Sequence, residues 1–180
     1  MATTPTRLMT FAEFDQMPNH PSGLRYELRN GEPFLTSPPR HDHSLVQRAI
    51  RRSFEAHAGN QWEAETEYGF RPVPEHEYIK ADVILITRER WDRIARKGNL
   101  QGAPDLVVEV LSPSHTPAEI ARKKKLCFEN GTREFWVVNI ERREVEVSTP
   151  DGRSVTYKSG QHIPLFFSTG STLAVDQLFA

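Results

Sequence analysis

Two short stretches, KADVILIT around Asp82 and PDLVVEVLS around Glu109, constrain this chain more than any other feature. Both are dense in β-branched and aliphatic residues at successive positions, the pattern of strands covered on both faces in the middle of a helix-clad sheet. Each nevertheless carries a carboxylate. A lone carboxylate there is costly unless it is paired or binds a metal, so burying these strands requires partners for Asp82 and Glu109. Side chains alternate along the second strand, which sets Asp105, Val107, Glu109 and Leu111 on one face and Leu106, Val108 and Val110 on the other.

The rest of the chain alternates helix and strand signals. Thr10 and Glu13 have capping-box spacing and predict a short opening helix in TFAEFDQM. The pair Asn30-Gly31 inside RYELRNGEPFLT predicts a tight hairpin, because both residues tolerate positive φ. From Asp42 to Ala58, Leu45, Val46, Ala49, Ile50 and Phe54 recur at helical spacing with arginines opposite. WEAETEYGFRPV reads as a strand, RERWDRIARKG as a helix, and the segment from Pro117 to Glu129 as a helix ended by Gly131. EFWVVNI and REVEVSTP then form a strand pair that DGRSVTYK extends. With no repeat, low-complexity tract or long linker, the 180 residues read as one α/β domain around a central sheet.

Composition narrows the function classes. Hydrophobic residues at 37% and charged residues at 26% exclude a disordered chain and a membrane protein. No run approaches the ~20 apolar residues a bilayer requires. The start MATTPTRLMTF lacks the features of a secretory signal, so a cytoplasmic location is expected. A net charge of −1 and a pI near 6.7 mean that bulk charge does not draw the chain to polyanions. Local clusters remain available: Arg48, Arg51 and Arg52; Arg88, Arg90, Arg93, Arg96 and Lys97; and Arg122 to Lys125. Solvated helix faces account for most such runs.

Hard oxygen ligands from Asp82 and Glu109, without a Cys or tight His cluster, point to Mg²⁺ or Mn²⁺. Such an ion suits phosphodiester hydrolysis by a metal-activated water. Lys123, Lys124 and Lys125 follow on the next helix, and one of them pointing back could orient the water or stabilise transition-state charge. Spacing leaves the choice open, and consecutive lysines are ordinarily exposed. Cys127, the only cysteine, excludes internal disulfides and reads as a small core residue, not a nucleophile. Ser112 and Ser114 lack an adjacent His base and read as turn and helix-capping residues. His41 and His43 fit substrate contact or a helix start better than metal ligation.

In order along the chain, TFAEFDQMP, RYELRNGE, SPPRHDHSLVQRAI, KADVILI, GAPDLVVEVLSPS and KKKLCFENGTREFWVVN resemble the blocks of the Uma2-type restriction endonuclease family. That family lies within the PD-(D/E)XK nuclease superfamily, and GAPDLVVEVLSPS is the most specific of the blocks. The resemblance implies a restriction-endonuclease-like fold, a mixed central sheet flanked by helices, and Mg²⁺-dependent endonuclease action on DNA. It makes Asp82 and Glu109 the metal-binding acids, with the Val110 carbonyl as a further ligand. The lysine of the D/E-x-K pattern, which would fall at Leu111, is moved to the following helix, where counting back from Gly131 selects Lys123. Glu27 becomes a further acid near the metal, as ligand or base for water. His43 matches a position where the family often has His, and His43 and Lys124 are the candidate substrate contacts. Ala81, Glu119 and Cys127 depart from the family's usual Pro, Asp and Tyr without removing a proposed catalytic group. A homodimer is expected through the late strands, since cutting both strands of a duplex pairs two sites by symmetry. The rival reading is a nuclease-fold module that keeps its acids for packing and binds nucleic acid or a protein partner.

Overall fold

In the computed structural model, which describes residues 7–113 and 115–180, the two acid-bearing strands are neighbours at the centre of a seven-stranded sheet. They are β4 (Ile79–Thr87) and β6 (Leu106–Val110). Outward on one side lie β3 (Trp62–Arg71) and β5 (Leu100–Gln101). On the other lie β7 (Glu134–Asn139), β8 (Glu144–Ser148) and β9 (Ser154–Lys158). The sheet is mixed: β4 runs antiparallel to β3 and β6, β6 is parallel to β7, and β7, β8 and β9 form an antiparallel meander. The parallel step from β6 to β7 requires a crossover, which α4 (Pro117–Glu129) supplies.

Two apolar layers enclose the sheet. On one face α2 (His41–Ala58) lays Val46, Ile50 and Phe54 over Val83, Leu85, Val108 and Trp136. A C-terminal unit closes this layer: the hairpin β10 (His162–Pro164) and β11 (Thr172–Ala174), then a 3-10 turn at Val175–Phe179. Ile163, Leu165, Phe167 and Leu173 supply its contacts, and sequence periodicity did not anticipate it. On the opposite face Cys127 of α4 packs with Phe70, Ile84, Val107 and Phe135. The RERWDRIARKG segment is helical only over α3 (Arg88–Asp92), after which it turns, with Ile94 packed on the same layer.

Local chemistry sets the element ends. Thr10 caps α1 (Phe11–Asp15) with the reciprocal Glu13 bonds its spacing predicts. Asn30 and Gly31, at φ 49° and 72°, turn β1 (Arg25–Arg29) into β2 (Glu32–Thr36). That hairpin stands outside the central sheet and is tied to it by mutual backbone bonds between Leu28 and Tyr78. Thr116, not Ser112, caps α4, accepting from Glu119 N while Glu119 reaches back to Thr116 N. The reading of Ser114 as a cap, and that of the N-terminal stretch before Arg7, lie outside the described residues. Because α4 carries the lysines, its cap matters to the site. Thr116→Ala is expected to cost about 1 kcal/mol, a fall of about 2–4 °C in unfolding temperature by calorimetry. β7 and β8 are internal, so the free edge on that side is β9, where Val155 is exposed.

Candidate active site

The acids meet where the sheet opens. β4 and β6 pair through Val83 and Val108, and the ladder stops there. One step further the amide of Val110 donates to Oδ2 of Asp82 at 2.6 Å, a side chain taking the place of a strand partner. The backbone of Lys80 is satisfied the same way: its N–H donates to Glu27 Oε1 at 2.9 Å and its carbonyl accepts from Lys123 Nζ. The gap in the ladder is thus lined by Asp82, Glu27 and Lys123, groups that answer the polar backbone left exposed in a dry setting.

A local reversal of the strands aims these groups. Glu67, in the middle of β3, has φ 52° and stands opposite Asp82 in the register flanked by Thr66↔Val83 and Tyr68↔Ala81. Before it, Ala64 packs in the α2 layer; after it, Tyr68 and Phe70 pack in the α4 layer. The partner strand reverses too, with Val83 and Leu85 in the α2 layer but Ala81 and Ile79 in the other. Asp82 sits at the reversal. A left-handed residue without glycine's freedom is a strained choice, and such strain gathers at functional sites.

From α2, His43 and Gln47 reach the same spot, one helical turn apart and both buried. Gln47 Nε2 donates to Asp82 Oδ1 at 2.8 Å and also to Glu67 Oε1. His43 Nε2 lies 2.9 Å from the carbonyl of Val110 and 3.2 Å from Asp82 Oδ2, while its Nδ1 is buried with no partner among the described residues. Burial opposes the imidazolium, but the bond and charge of Asp82 outweigh it and raise the pKa of His43. Burial works against the Asp82 carboxylate as well, and is outweighed by His43, Lys123 and the Val110 amide, which hold its pKa below the usual value.

Glu109 behaves in the opposite way. Its Oε1 is 2.7 Å from Lys123 Nζ, an ammonium it shares with the Lys80 carbonyl, and no other donor among the described residues reaches that oxygen. Burial, outweighing the ammonium and aided by the charges of Asp82 and Glu27, pushes its carboxyl up to about 8. Burial also opposes the Lys123 ammonium, but Glu109, Glu27 and Asp82 outweigh it and raise its pKa. The cluster is short of positive charge at Glu109.

Of the residues singled out in the sequence, Glu27, Asp82, Glu109, Val110, Lys123 and His43 come together. Lys124 does not: it turns to Glu146 Oε1 and Ser148 Oγ, at 2.6 and 2.9 Å, on the β8 side of α4. Lys125 faces solvent with Glu129 at 3.8 Å. Burial pushes the Cys127 thiol up to about 12, in keeping with a core residue. Gln47, Glu67 and Lys80 were not foreseen. Of these only Gln47 had a signal, a polar residue one turn from His43 beside the apolar Val46 and Ile50. A groove of about 670 Å³ runs along α4 over Leu111, Ile120, Phe128 and Val137, but none of the clustered acids lines it.

A family model described as Uma2, "Putative restriction endonuclease", matches residues 11–176. Among solved structures, the crystal structure of a protein described as a putative nuclease belonging to DUF820 from Anabaena variabilis ATCC 29413 superposes with a TM-score of 0.80. The two are 19% identical, over 95% of this chain and 97% of that one, a likeness that shows the fold. Among curated proteins nothing matches.

Proposed function

This chain belongs to the Uma2 family, and on that premise we propose that it is a metal-dependent endonuclease that hydrolyses DNA phosphodiester bonds. The observation that carries the reading is Glu109, a buried carboxylate whose Oε1 has only the shared Lys123 ammonium beside it and whose carboxyl is pushed up by burial to about 8. The donors at hand are hard oxygens: the carboxylates of Asp82 and Glu109 and the carbonyl of Val110. No three His, Cys, Asp or Glu side chains among the described residues form a ready metal cage. Such a set suits Mg²⁺ or Mn²⁺, which bind through one or two carboxylates and leave positions for water and phosphate. When bound, the ion's chemistry is to polarise a phosphoryl oxygen and lower the pKa of a water.

The chain's own groups divide the remaining work. Lys123, its ammonium secured by three carboxylates, stabilises the charge that builds on the phosphoryl oxygens. Glu27, bonded to the Lys80 amide and to Arg29 Nε at 2.9 Å each, orients the attacking water. His43 and Gln47 hold the Asp82 carboxylate in one orientation. Two copies related by a two-fold axis would serve both strands of a duplex.

Asp82→Asn, which can still accept from the Val110 amide, is expected to lower Mn²⁺-stimulated DNA cleavage about a hundredfold or more. Undiminished cleavage by that variant would end the assignment of Asp82. One observation favours the rival, a module that binds without cutting: the His43 N–H already engages both Asp82 and the Val110 carbonyl. Calorimetric titration with Mg²⁺ or Mn²⁺ decides, since a binding module shows neither millimolar metal affinity nor cleavage of single-stranded, double-stranded or branched DNA.

A further inference from the structure

We propose that Phe34, backed by the guanidinium of Arg29, is a stacking platform for an unpaired nucleobase beside the scissile phosphate. The substrate class that follows is nucleic acid with a single-stranded or locally unpaired segment at the cut. This inference rests on the nuclease reading above.

The hairpin register carries it. Glu27 and Phe34 are direct cross-strand partners in β1 and β2, so both side chains leave the hairpin on one face. That face points to the acid cluster, because Glu27 binds the Lys80 amide and acts on the charge of Lys123. Glu27 is buried, while Phe34 beside it is 46% exposed. So exposed an aromatic beside the acid cluster contributes little to the core.

Arg29 explains how the ring is held. Its Cζ lies 3.9 Å from the Phe34 centroid, covering one face of the ring. The guanidinium is itself fixed by Glu27 Oε2 at 2.9 Å and Glu119 Oε1 at 3.2 Å. The hairpin in turn is fixed to β4 through Leu28 and Tyr78. The ring is therefore held in place relative to Asp82, and close to half of the residue stays open to solvent. Arg25 lies on the same face of the hairpin, exposed and without an ion pair among the described residues, in position for a phosphate next to the stacked base. Bases inside a duplex are covered by their neighbours, so only a base out of the stack can cover this ring.

The test is fluorescence anisotropy in a chelating buffer, where no cleavage intervenes, with labelled oligo-dT and a blunt duplex of equal length as probes. Phe34→Ala is expected to weaken oligo-dT binding about tenfold and duplex binding less than about twofold, the first figure being the usual contribution of one stacked base. Phe34→Trp should restore affinity and Phe34→Leu should not. Equal oligo-dT affinity in the wild type and Phe34→Ala overturns the platform, as does full affinity in Phe34→Leu, which would indicate mere apolar contact. Light scattering adds a further arm: if Phe34→Ala converts a dimer to a monomer with oligo-dT affinity unchanged, the ring's partner is a second copy and the platform is overturned. The two readings fail separately. A wild type that cuts no DNA with Mg²⁺ or Mn²⁺, yet loses oligo-dT affinity on Phe34→Ala, keeps the platform and loses the nuclease. One that cuts duplex DNA with undiminished activity in Phe34→Ala, and binds oligo-dT equally in both forms, does the reverse.

Discussion

Metal-free Lys123→Ala protein is expected to unfold roughly 10 °C below the wild type, the consequence of removing one side of a buried pair at about 3–5 kcal/mol. The side chain is largely buried, 2.7 Å from Glu109, and donates to the Lys80 carbonyl. Its absence leaves Glu109, Glu27 and Asp82 facing one another without the cation that each of them attracts. It also strands a backbone acceptor where the ladder has already stopped. Lys123→Arg should recover little, because a planar fork cannot serve the carboxylate and the carbonyl along the path of one ammonium. Scanning calorimetry in chelator decides. An unfolding temperature for Lys123→Ala within about 2 °C of wild type, less than 1 kcal/mol, would mean that water reaches the cluster freely.

Glu109→Gln should act in the opposite sense and stabilise the metal-free protein. In the folded state the Glu109 carboxyl is raised from 4.5 to about 8, so the fold holds a proton that the unfolded chain releases. A raised acid contributes its full stability below the unfolded value and loses it as pH climbs through the folded one. The window is therefore about pH 4.5 to 8. A glutamine never ionises and escapes that loss, while Lys123 retains Glu27 and Asp82 as partners. The variant and wild type should match near the acid end and diverge with rising pH, the variant melting roughly 10 °C higher by pH 8. Saturating Mn²⁺ should invert the order, because a ligand that binds only the folded wild type adds stability by mass action. Should Glu109→Gln be the less stable protein at every pH without metal, the pair with Lys123 dominates and Glu109 is not waiting for a cation.

The acids were legible because burial makes a charge conspicuous. KADVILIT and PDLVVEVLS announced central strands, and those strands are adjacent, with their carboxylates at the point where pairing ends. Which of three consecutive lysines turns inward was not legible from the residues, since each step around a helix is about 100° and nothing in the run marks its rotation on the sheet. Only the family spacing selected Lys123. Glu67 could not have been found: WEAETEYGF reads as unbroken alternation, and neither Gly nor Asn marks the left-handed turn that reverses both strands. Asn30-Gly31 announced the hairpin but not its docking, which depends on the distant Tyr78. The C-terminal cover over α2 was missed because its strands are three residues each, too short for a period to show.

Beyond the part proposed for it in catalysis, Asp82 has a structural one that shapes how this protein can change over generations. Its carboxylate answers the Val110 N–H left over where β4 and β6 part. A lineage that gave up cutting DNA could not let that position drift to alanine without stranding the amide, at a cost of about 1–3 kcal/mol. Asparagine would keep the bond and discard the charge. Retired relatives should therefore betray themselves by an amide at this place, and an intact aspartate there testifies to the architecture before it testifies to the trade.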